Sequence, residues 1–322
     1  MKTVVTGGAG FIGSHLVRRL VDEGREVVVV DGFSRGSVRN LLDLGVRIEC
    51  PKIDLRDYGR TLEVVEGTDV VYHLAARVGS VEHLHGSELA ELRALQDNLV
   101  IDANVFRACV ETGVKRVIYA SSVSVYPIDM QQKPGVVLSE DDLRYYSPEG
   151  GYGWAKLIGE IQLGWIKGVN IAIARIFNVY GPCQPLDKTA HVVPALARKA
   201  IMYPGEDFIV WGSGDQSRCF LYVSDCVEAL LRLEEEASNP PIIVNVGSDE
   251  EVLIRTVAEK IVKISGKSIE IKYDLTKPVG PASRTADVHR AKTLLGWGPI
   301  VGLDEGLRRT YTWVKERLKI AR

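Results

Sequence analysis

Cysteine is scarce in this sequence, and the cysteines it has are not paired. The 322 residues include five, an odd number without a Cys-x-x-Cys pair: Cys50, Cys109, Cys183, Cys219 and Cys226. A disulfide framework needs paired cysteines, and a structural zinc site needs closely spaced thiolates. We therefore expect no disulfide bonds, no metal site and a location in the reducing cytoplasm.

A concentrated positive charge and a long apolar run are also missing. The formal net charge is −2 and the basic residues are scattered, so no strong field favours a nucleic acid or an anionic membrane as partner. No apolar run approaches the roughly 20 residues that cross a bilayer. The first residues lead directly into a strand pattern, so we expect neither a signal peptide nor a membrane segment.

What the sequence does contain is an ordinary globular composition with alternating structural patterns. Hydrophobic residues make up 46% and charged residues 25%, which is enough apolar content for a sizeable core. Short β-branched runs alternate with amphipathic stretches, which predicts an α/β fold with a doubly wound parallel sheet. We predict strands at residues 3–5, 27–30, 47–49, 69–73, 117–120 and 171–175, and helices at Phe11–Asp22, about 87–112 and about 151–167.

A glycine-rich turn follows the first predicted strand and opens the first helix. It reads TGGAGFIG from Thr6 to Gly13. Glycines allow a tight turn and let backbone N–H groups approach a pyrophosphate, which the helix N-terminus also attracts. Asp31, after the second strand, can accept both hydroxyls of an adenosine ribose and repel a 2′-phosphate. Together they predict NAD rather than NADP, a preference that Arg35 could soften, whereas the glycines alone are also typical of any sharp strand-to-helix turn.

These patterns divide the chain in two. We predict residues 1–177 as an NAD-binding domain of the Rossmann type, to which the chain returns near 215–245. After about residue 178, loops rich in proline and glycine separate shorter elements. Residues 178–322 are therefore predicted mainly as a smaller α/β lobe that binds the substrate.

A serine-rich strand end and a Tyr-x-x-x-Lys segment carry the predicted chemistry. The first reads SSVSVY from Ser121 to Tyr126, and the second joins Tyr152 to Lys156. On a helix, this spacing puts tyrosine and lysine on one face. The lysine ammonium can lower the tyrosine pKa and hold a ribose, while a serine hydroxyl binds the reacting oxygen. Such a pair also occurs by chance on amphipathic helices, but after the glycine turn and Asp31 it predicts hydride chemistry at a sugar hydroxyl.

With these motifs, the chain resembles the extended short-chain dehydrogenase/reductases, the NAD-dependent nucleotide-sugar epimerases and dehydratases, over essentially its whole length. The resemblance implies a cofactor that stays bound and is reduced and reoxidised in each turnover. It also implies that Ser122 binds the reacting oxygen, that Tyr152 is the base and that Lys156 assists it. The catalytic residues are therefore predicted to be Ser122, Tyr152 and Lys156.

Further segments are similar to the family's substrate-binding motifs. RIFNVYGP, from Arg175 to Pro182, resembles a segment in which the asparagine contacts the sugar-nucleotide phosphates. RCFLYVSD, which begins at Arg218, resembles a motif whose arginine grips the diphosphate, and Arg284 occupies a comparable place. An arginine fork suits a diphosphate because it donates two parallel hydrogen bonds.

The motifs and the resemblance together give two sets of predicted binding residues. The substrate, a nucleoside-diphosphate sugar, is expected to contact Ser122, Ser124, Tyr152, Asn178, Val193, Arg218 and Arg284. The NAD cofactor is expected to contact Gly7, Gly10, Phe11, Ile12, Gly13, Asp31, Ser34, Arg35, Gly36, Asp54, Leu55, Leu74, Ala75, Ala76, Asn98, Tyr152, Lys156 and Phe177. Asp54 is also typical of an ordinary loop residue, and His73 is interpreted as structural.

The residue two places before Tyr126 discriminates between members of the family. The dehydratases and UDP-glucuronate decarboxylases carry an acidic residue there, whereas this sequence has Ser124. A dehydratase mechanism is therefore not expected. The chain also looks similar to GDP-mannose 3,5-epimerases, which use a cysteine and a lysine as their acid/base pair. Here the cysteine's place holds Ser124, and the segment that should hold the lysine begins at His191.

A serine hydroxyl is too weak an acid without an adjacent base, so 3,5-epimerisation is not favoured. His191 also resembles a histidine of GDP-fucose synthases, although a lone histidine before a helix is commonly a cap or packing residue. Ser122, Tyr152 and Lys156 suffice for C4 epimerisation, as in UDP-galactose 4-epimerases. The sequence therefore predicts an isomerase that acts on a nucleoside-diphosphate hexose such as UDP-glucose, UDP-galactose or UDP-glucuronate.

Other interpretations stay open. They are a GDP-mannose 3,5-epimerase-like enzyme, an NAD-dependent sugar-nucleotide reductase and a dinucleotide-binding sensor without catalysis. The resemblance also implies a homodimer formed through the two long helices near 87–112 and 151–167. Their apolar stripes could equally pack within one chain.

Overall fold

The computed structural model describes residues 1–79, 81–143, 145–187 and 189–320. Its fourteen strands within these ranges are β1 (Lys2–Thr6), β2 (Glu26–Val30), β3 (Val70–His73), β4 (Arg116–Ser122), β5 (Val137–Leu138), β6 (Asn170–Ile176), β7 (Val179–Tyr180), β8 (Ile209–Trp211), β9 (Ser217–Arg218), β10 (Leu221–Tyr222), β11 (Ile242–Val246), β12 (Val252–Leu253), β13 (Lys272–Asp274) and β14 (Ser283–Ala286). Its α-helices there are α1 (Phe11–Asp22), α2 (Val38–Asp43), α3 (Tyr58–Val65), α4 (Val81–His85), α5 (Glu88–Glu111), α6 (Gly150–Trp165), α7 (Val192–Met202), α8 (Val223–Glu236), α9 (Ile254–Ser265), α10 (His289–Leu295) and α11 (Leu303–Ile320).

A six-stranded sheet in the order β11-β6-β4-β3-β1-β2 forms the centre, and all its strand pairs are parallel. Strands buried on both faces read as continuous β-branched runs, as in β1 and β2. Val5 faces a core shared with α1 and α8, whereas Val4 faces a core shared with α3, α5 and α6. Helices therefore cover both faces, and the predicted α/β fold class is confirmed.

A second lobe contains α7, α9 and α11. Its core includes Leu196, Val257 and Leu307, one from each of these helices. Short strand pairs complete it: β13 lies beside β8, and β10 beside β7. These elements stand over the carboxyl edge of the central sheet.

Two segments after residue 178 belong to the layer of the central sheet. Strand β11 adds to the edge of the sheet beside β6, and α8 packs on the same sheet, so residues well beyond 178 belong to the sheet layer. The boundary at residue 177 stays a proposal. No helix in the described ranges is long and apolar enough to span a membrane.

The strand predicted at residues 47–49 was wrong. This segment has no ladder partner, and the nearest pairing is a single bridge between Asp31 and Lys52. The sheet therefore ends at β2. Residues 47–49 contain one β-branched side chain, Ile48, and no described strand beside them offers its backbone groups.

Candidate functional site

The site lies at the carboxyl edge of the central sheet. Because the strands are parallel, Thr6, Val30, His73, Ser122 and Ile176 all end at this edge. The segments that follow them line one cavity of about 900 Å3, which the second lobe closes from the other side. Ligands of open α/β sheets bind in this place.

The glycine-rich turn forms one wall of the cavity. Gly7 has a φ of +68°, and its N–H donates to the Val30 carbonyl at 2.7 Å. A Cβ at Gly13 would collide with the Gly7 carbonyl oxygen, and a Cβ at Gly7 would lie 2.9 Å from the Ala75 nitrogen. These contacts require glycine. They let the turn bring the N-terminus of α1, with Gly10, Phe11 and Ile12, to the cavity surface.

Asp31 stands beside this turn at the end of β2. Its carboxylate accepts hydrogen bonds from the N–H groups of Phe33 at 2.7 Å and Ala9 at 3.1 Å. Burial raises the pKa of Asp31, while these two hydrogen bonds act in the opposite direction. Gly36 packs so closely that a Cβ there would lie 2.6 Å from the carboxylate. Asp31, Ser34 and Gly36 all line the cavity.

Arg35 also lines the cavity. Its guanidinium donates to the carbonyl oxygens of Val78 at 2.8 Å and Thr189 at 3.4 Å. These carbonyls belong to segments on two sides of the cavity. Arg35 therefore ties the two sides together.

The remaining predicted cofactor residues follow the next strands. Leu74, Ala75 and Ala76 line the cavity after β3, and Asp54 and Leu55 line its far end. The Asp54 carboxylate is exposed and pairs with Arg56 at 2.7 Å.

Asn98 does not line the cavity. It is buried behind the segment after β3, where its amide accepts from the Arg77 N–H at 2.6 Å and donates to the Arg77 carbonyl at 3.1 Å. It can support the cavity wall, but it does not reach a ligand in this arrangement.

The three predicted catalytic residues are brought together. Ser122 ends β4, and its hydroxyl is close enough to Tyr152, in the first turn of α6, to lower the pKa of Tyr152. Tyr152 and Lys156 lie on the same face of α6, and all three residues line the cavity. Burial raises the pKa of Tyr152 to about 12, with smaller contributions from the carboxylates of Asp102 and Glu149. The expected lowering by lysine is therefore not the dominant effect in the protein alone.

Lys156 is buried, and its ammonium has no hydrogen-bond partner among the described residues. The nitrogen lies 4.5 Å from the centre of the Tyr119 ring, a cation–π distance. Burial lowers the pKa of Lys156, and the carboxylates of Asp102 and Glu160 raise it. A buried, unpartnered cation at a cavity wall is suited to receive hydroxyl oxygens from a ligand.

A buried polar network lies beneath Lys156. Asp102 accepts from the Tyr119 hydroxyl at 2.6 Å and lies 3.0 Å from His73 Nε2. His73 Nδ1 is 2.7 Å from the Thr6 hydroxyl, which also accepts from backbone N–H groups after β3. This places His73 in a structural role, and the network joins the lysine to the glycine turn.

An ion pair fixes the helix that carries Tyr152. Glu160 of α6 pairs with Arg175 of β6 at 2.8 Å, and both side chains are buried. Ser121 donates to the same carboxylate at 2.5 Å. A Cβ at Gly153 would collide with the Ser124 carbonyl oxygen, so α6 also packs tightly where Tyr152 enters the site.

The other end of the cavity carries charged groups beside Tyr152. Glu149, the residue before α6, accepts from the Ser124 hydroxyl at 3.0 Å and from Arg284 at 2.5 Å. Arg218 is also buried there, and burial together with the neighbouring Arg284 lowers the pKa of Arg218. Two adjacent cations with one carboxylate partner leave a positive charge that a phosphate could neutralise.

Asn178, Phe177 and Val193 line the same cavity. Asn178 Oδ1 is buried without a hydrogen-bond donor among the described residues. His191 precedes α7 and lines the cavity, where the residue is exposed.

Sequence reasoning missed Glu149. An acidic residue just before a predicted helix is typical of an N-terminal charge interaction, and nothing local connects it with Ser124 or Arg284. Its place, three residues before Tyr152, was the only signal. The structure thus gives Ser124 the neighbouring carboxylate that the sequence did not reveal.

The residues present fit an NAD molecule. Gly7 and Gly13 form a cradle that any Cβ would fill, Asp31 stands at the end of β2, and the Lys156 ammonium lacks a partner. In such a complex the glycine turn would hold the pyrophosphate, Asp31 the adenosine ribose and Lys156 the second ribose. Within the described residues, no cluster of histidine, cysteine or carboxylate side chains is arranged to hold a metal ion.

Comparison with known proteins agrees with this geometry. Residues 3–247 match the family model described as NAD dependent epimerase/dehydratase. The sequence is 34% identical over 327 residues to UDP-N-acetyl-alpha-D-glucosaminuronate decarboxylase from Bacillus cytotoxicus, covering 98% of each chain. It is 33% identical over 322 residues to GDP-mannose 3,5-epimerase 1 from Oryza sativa subsp. japonica, covering 99% of this chain and 83% of that one.

The structure is similar to that of UDP-glucose 4-epimerase from Thermotoga maritima, solved with UDP-glucose. The TM-score is 0.88 at 28% identity, and the match covers 99% of this chain and 100% of that one. These proteins carry out different reactions on one shared fold. Differences inside the cavity must therefore decide the reaction.

Proposed function

Because the chain belongs to the NAD-dependent epimerase/dehydratase family, we propose that this enzyme inverts C4 of a nucleoside-diphosphate hexose, such as UDP-glucose, UDP-galactose or UDP-glucuronate. NAD is the cofactor of the family, which confirms the predicted cofactor. The observation that carries the proposal is the meeting of Ser122, Tyr152 and Lys156 on one wall of the cavity. With NAD as hydride acceptor and donor, this set needs no further acid or base for oxidation and reduction at C4.

Each residue has a role that follows from its position. The Tyr152 phenolate takes the proton of the C4 hydroxyl and later returns it, while Ser122 hydrogen-bonds the C4 oxygen. Since burial raises the pKa of Tyr152 to about 12, the phenolate forms only with positive charge alongside, and the Lys156 ammonium stands on the same helix face. NAD, when bound, supplies the acceptor that takes the C4 hydride and the donor that returns it to the opposite face. The intermediate sugar is a 4-ketone. Its rotation presents the opposite face to the returning hydride, and this inverts C4.

Arg218 and Arg284 support the choice of a nucleoside-diphosphate sugar as substrate. Both are buried at the end of the cavity next to Tyr152, with Glu149 as the carboxylate partner of Arg284. A diphosphate would neutralise the remaining positive charge. The Thermotoga maritima protein was solved with a ligand of this class, UDP-glucose.

A second reaction has an observation in its favour. The Ser124 hydroxyl donates to Glu149 at 3.0 Å, so a carboxylate does stand where an additional acid or base would be needed. Proton transfer at C3 or C5 next to a 4-ketone is the chemistry of a 3,5-epimerase, the activity named for the rice relative. The alternative proposal is therefore 3,5-epimerisation through Ser124 and Glu149.

Proton NMR in deuterated water separates the two reactions. The full-length protein with added NAD is incubated with UDP-galactose, UDP-glucuronate and GDP-mannose. We expect C4 inversion without deuterium in the sugar, because the same hydride returns. Deuterium at C3 or C5 would instead support the alternative and reject C4 inversion as the main reaction.

Two tyrosine variants complete this test. Tyr152→Phe should lower kcat by about 10²- to 10⁴-fold, the usual contribution of a positioned acid/base. Tyr145→Phe removes an exposed hydroxyl bonded to Asp129, outside the cavity, and should leave kcat unchanged. Equal activity of both variants would contradict the role of Tyr152.

We also propose a homodimer and a reducing compartment. Large apolar side chains are exposed on the packed helices α5 and α6, among them Leu92 and Trp154, and this supports a subunit interface there. All five cysteines are free thiols, which is typical of proteins in a reducing cytoplasm.

A further inference from the structure

Glu149 occupies a position from which it can choose among sugars. It precedes α6 directly and stands three residues, about one helical turn, before Tyr152. It lines the same cavity, and its charge is close enough to raise the pKa of Tyr152. A sugar whose C4 hydroxyl reached Tyr152 would therefore share the cavity with this carboxylate.

The Glu149 side chain is held by two residues. Its Oε2 accepts from the Ser124 hydroxyl at 3.0 Å and from Arg284 Nη2 at 2.5 Å. Its backbone N–H donates to the Ser124 carbonyl at 2.9 Å. Arg284 is fixed in turn by Gln131, whose side-chain oxygen accepts from Arg284 Nε at 2.5 Å. Moving the carboxylate would break its hydrogen bonds with Ser124 and Arg284.

The carboxylate is ionised and has one oxygen to spare. The Arg284 charge and hydrogen bond, assisted by Ser124, outweigh burial and lower the pKa of Glu149. Both of its side-chain hydrogen bonds within the described residues are made by Oε2. Oε1 is therefore available as an acceptor, and a sugar hydroxyl is a donor that suits it.

We propose that Glu149 is a specificity-determining residue, which admits sugars with a neutral C6 hydroxymethyl group and excludes uronates, whose C6 is a carboxylate. A uronate would put its own carboxylate next to the partly buried Glu149 carboxylate. It would also compete with Glu149 for Arg284, whose Nη2 and Nε are already engaged by Glu149 and Gln131. This inference rests on the proposed function, because it assumes that the reacting carbon lies at Tyr152.

A preference for neutral sugars would distinguish this chain from relatives that are about a third identical to it. Several of them are named as decarboxylases of uronates, including the Bacillus cytotoxicus protein. It also narrows the proposed substrates to neutral hexoses, so that UDP-glucuronate falls away and UDP-glucose and UDP-galactose remain.

Binding measurements on the full chain with NAD test the selectivity without relying on turnover. Calorimetry gives Kd for two pairs of ligands, UDP-glucose with UDP-glucuronate and GDP-mannose with GDP-mannuronate. In the pair that the protein binds, we expect Kd of the neutral sugar nucleotide to be at least about tenfold lower than Kd of the uronate. Glu149→Gln should reduce this ratio of Kd values by about tenfold, as expected for one partly screened charge contact. The glutamine retains an oxygen for Ser124 and differs mainly in charge.

Glu91→Gln is the matched control. Glu91 accepts from the Gly151 N–H at 2.6 Å at the same end of α6, but it does not line the cavity. Its variant loses the same charge at the same helix end, and its selectivity ratio should equal that of the wild type. Circular dichroism and Tm establish that both variants are folded.

Several results would overturn the inference. They are equal affinity of the wild type for both members of a pair, an unchanged ratio in Glu149→Gln, and failure of every neutral sugar nucleotide to bind. Failure of C4 inversion in the NMR experiment with the binding ratio intact would reject the proposed reaction and leave the selectivity standing. If a folded Glu149→Gln instead gains deuterium exchange or loses it, the carboxylate takes part in proton transfer and the specificity role is rejected.

Discussion

At the scale of single residues, burial shifts the pKa values of Tyr152 and Lys156 in opposite directions, and both shifts favour the neutral form. It raises the pKa of Tyr152 to about 12 and lowers that of Lys156, so both are displaced toward their neutral forms. Asp102 opposes burial at Lys156, because its charge favours the ammonium. The same charge disfavours the Tyr152 phenolate. One carboxylate therefore influences both catalytic groups.

We expect Asp102→Asn to move the whole pH profile of kcat to lower pH. Loss of the negative charge lowers the pKa of Tyr152, so the base forms at lower pH and the acid limb shifts down. It also lowers the pKa of Lys156 further, since Glu160 alone then opposes burial, so the ammonium is lost at lower pH and the alkaline limb shifts down too. Initial rates from pH 5 to 10 measure both limbs. A purely structural role would reduce kcat without moving either limb.

Tyr119→Phe is the control for this shift. It removes the hydroxyl that donates to Asp102 at 2.6 Å but keeps both the carboxylate charge and the ring beneath Lys156. We expect a loss of stability of about 1 kcal/mol for the missing hydrogen bond and little movement of the pH limbs. Burial lowers the pKa of the neighbouring His73. A shift in Tyr119→Phe as large as that in Asp102→Asn would contradict the electrostatic explanation.

At the scale of elements, sequence patterns correctly predicted a helix whose formation depends on residues close in the chain. Helix α1 begins at Phe11 and ends at Asp22, as the glycine turn and the apolar spacing indicated. The segment at 47–49 has similar composition to a strand, but strand formation depends on a partner elsewhere in the chain. The absence of a strand at residues 47–49 is therefore determined by the sheet edge and not by the segment itself.

The part of the site that could be predicted from the sequence is the part that lies on one helix. Tyr152 and Lys156 are four residues apart on one helix, so their meeting follows from helical geometry. Glu149 meets Ser124 across 25 positions and Arg284 across 135. Such contacts depend on how α6, the turn after β4 and β14 pack together. Sequence spacing carries no signal for them.

The glycine turn gives a prediction about an element. We expect Gly13→Ala to lower Tm and to abolish retention of NAD, because the added Cβ would collide with the Gly7 carbonyl oxygen and lie 2.8 Å from the Gly8 Cα. Backbone must move to relieve this, at a cost of about 1–3 kcal/mol. NAD released by acid from the purified protein, measured per chain, reports retention.

Gly164→Ala is the matched substitution. Gly164 lies in α6 on the exposed side, where an added Cβ meets nothing within 4 Å. We expect unchanged NAD content and a gain in stability of up to about 0.5–1 kcal/mol, because alanine favours the helix. If Gly13→Ala kept its NAD and its Tm, the close packing of the turn would not be required for binding.

At the scale of the whole molecule, exposed apolar side chains on α5 and α6 support the proposed subunit interface. Leu89, Leu92 and Val100 of α5 are 43–55% exposed, and Trp154 and Trp165 of α6 are 41% and 74% exposed. The two helices pack against each other, so these side chains belong to one surface region. Soluble monomers seldom leave large connected apolar patches to water. Pairing of two such helix pairs would bury them in a four-helix arrangement.

We therefore expect the wild type to be a dimer in light scattering after size exclusion, with twice the 35.5 kDa mass of one chain. The double variant Leu92→Glu, Trp154→Glu should run as a monomer, because four buried carboxylates at one interface would lack partners. Ile300→Glu, at an 88% exposed residue on a loop before α11, introduces the same kind of charge elsewhere and should remain dimeric. A monomeric wild type, or a double variant that stays dimeric at micromolar concentration, would place the subunit contact elsewhere or remove it, and the exposed residues of α5 and α6 would then need another partner.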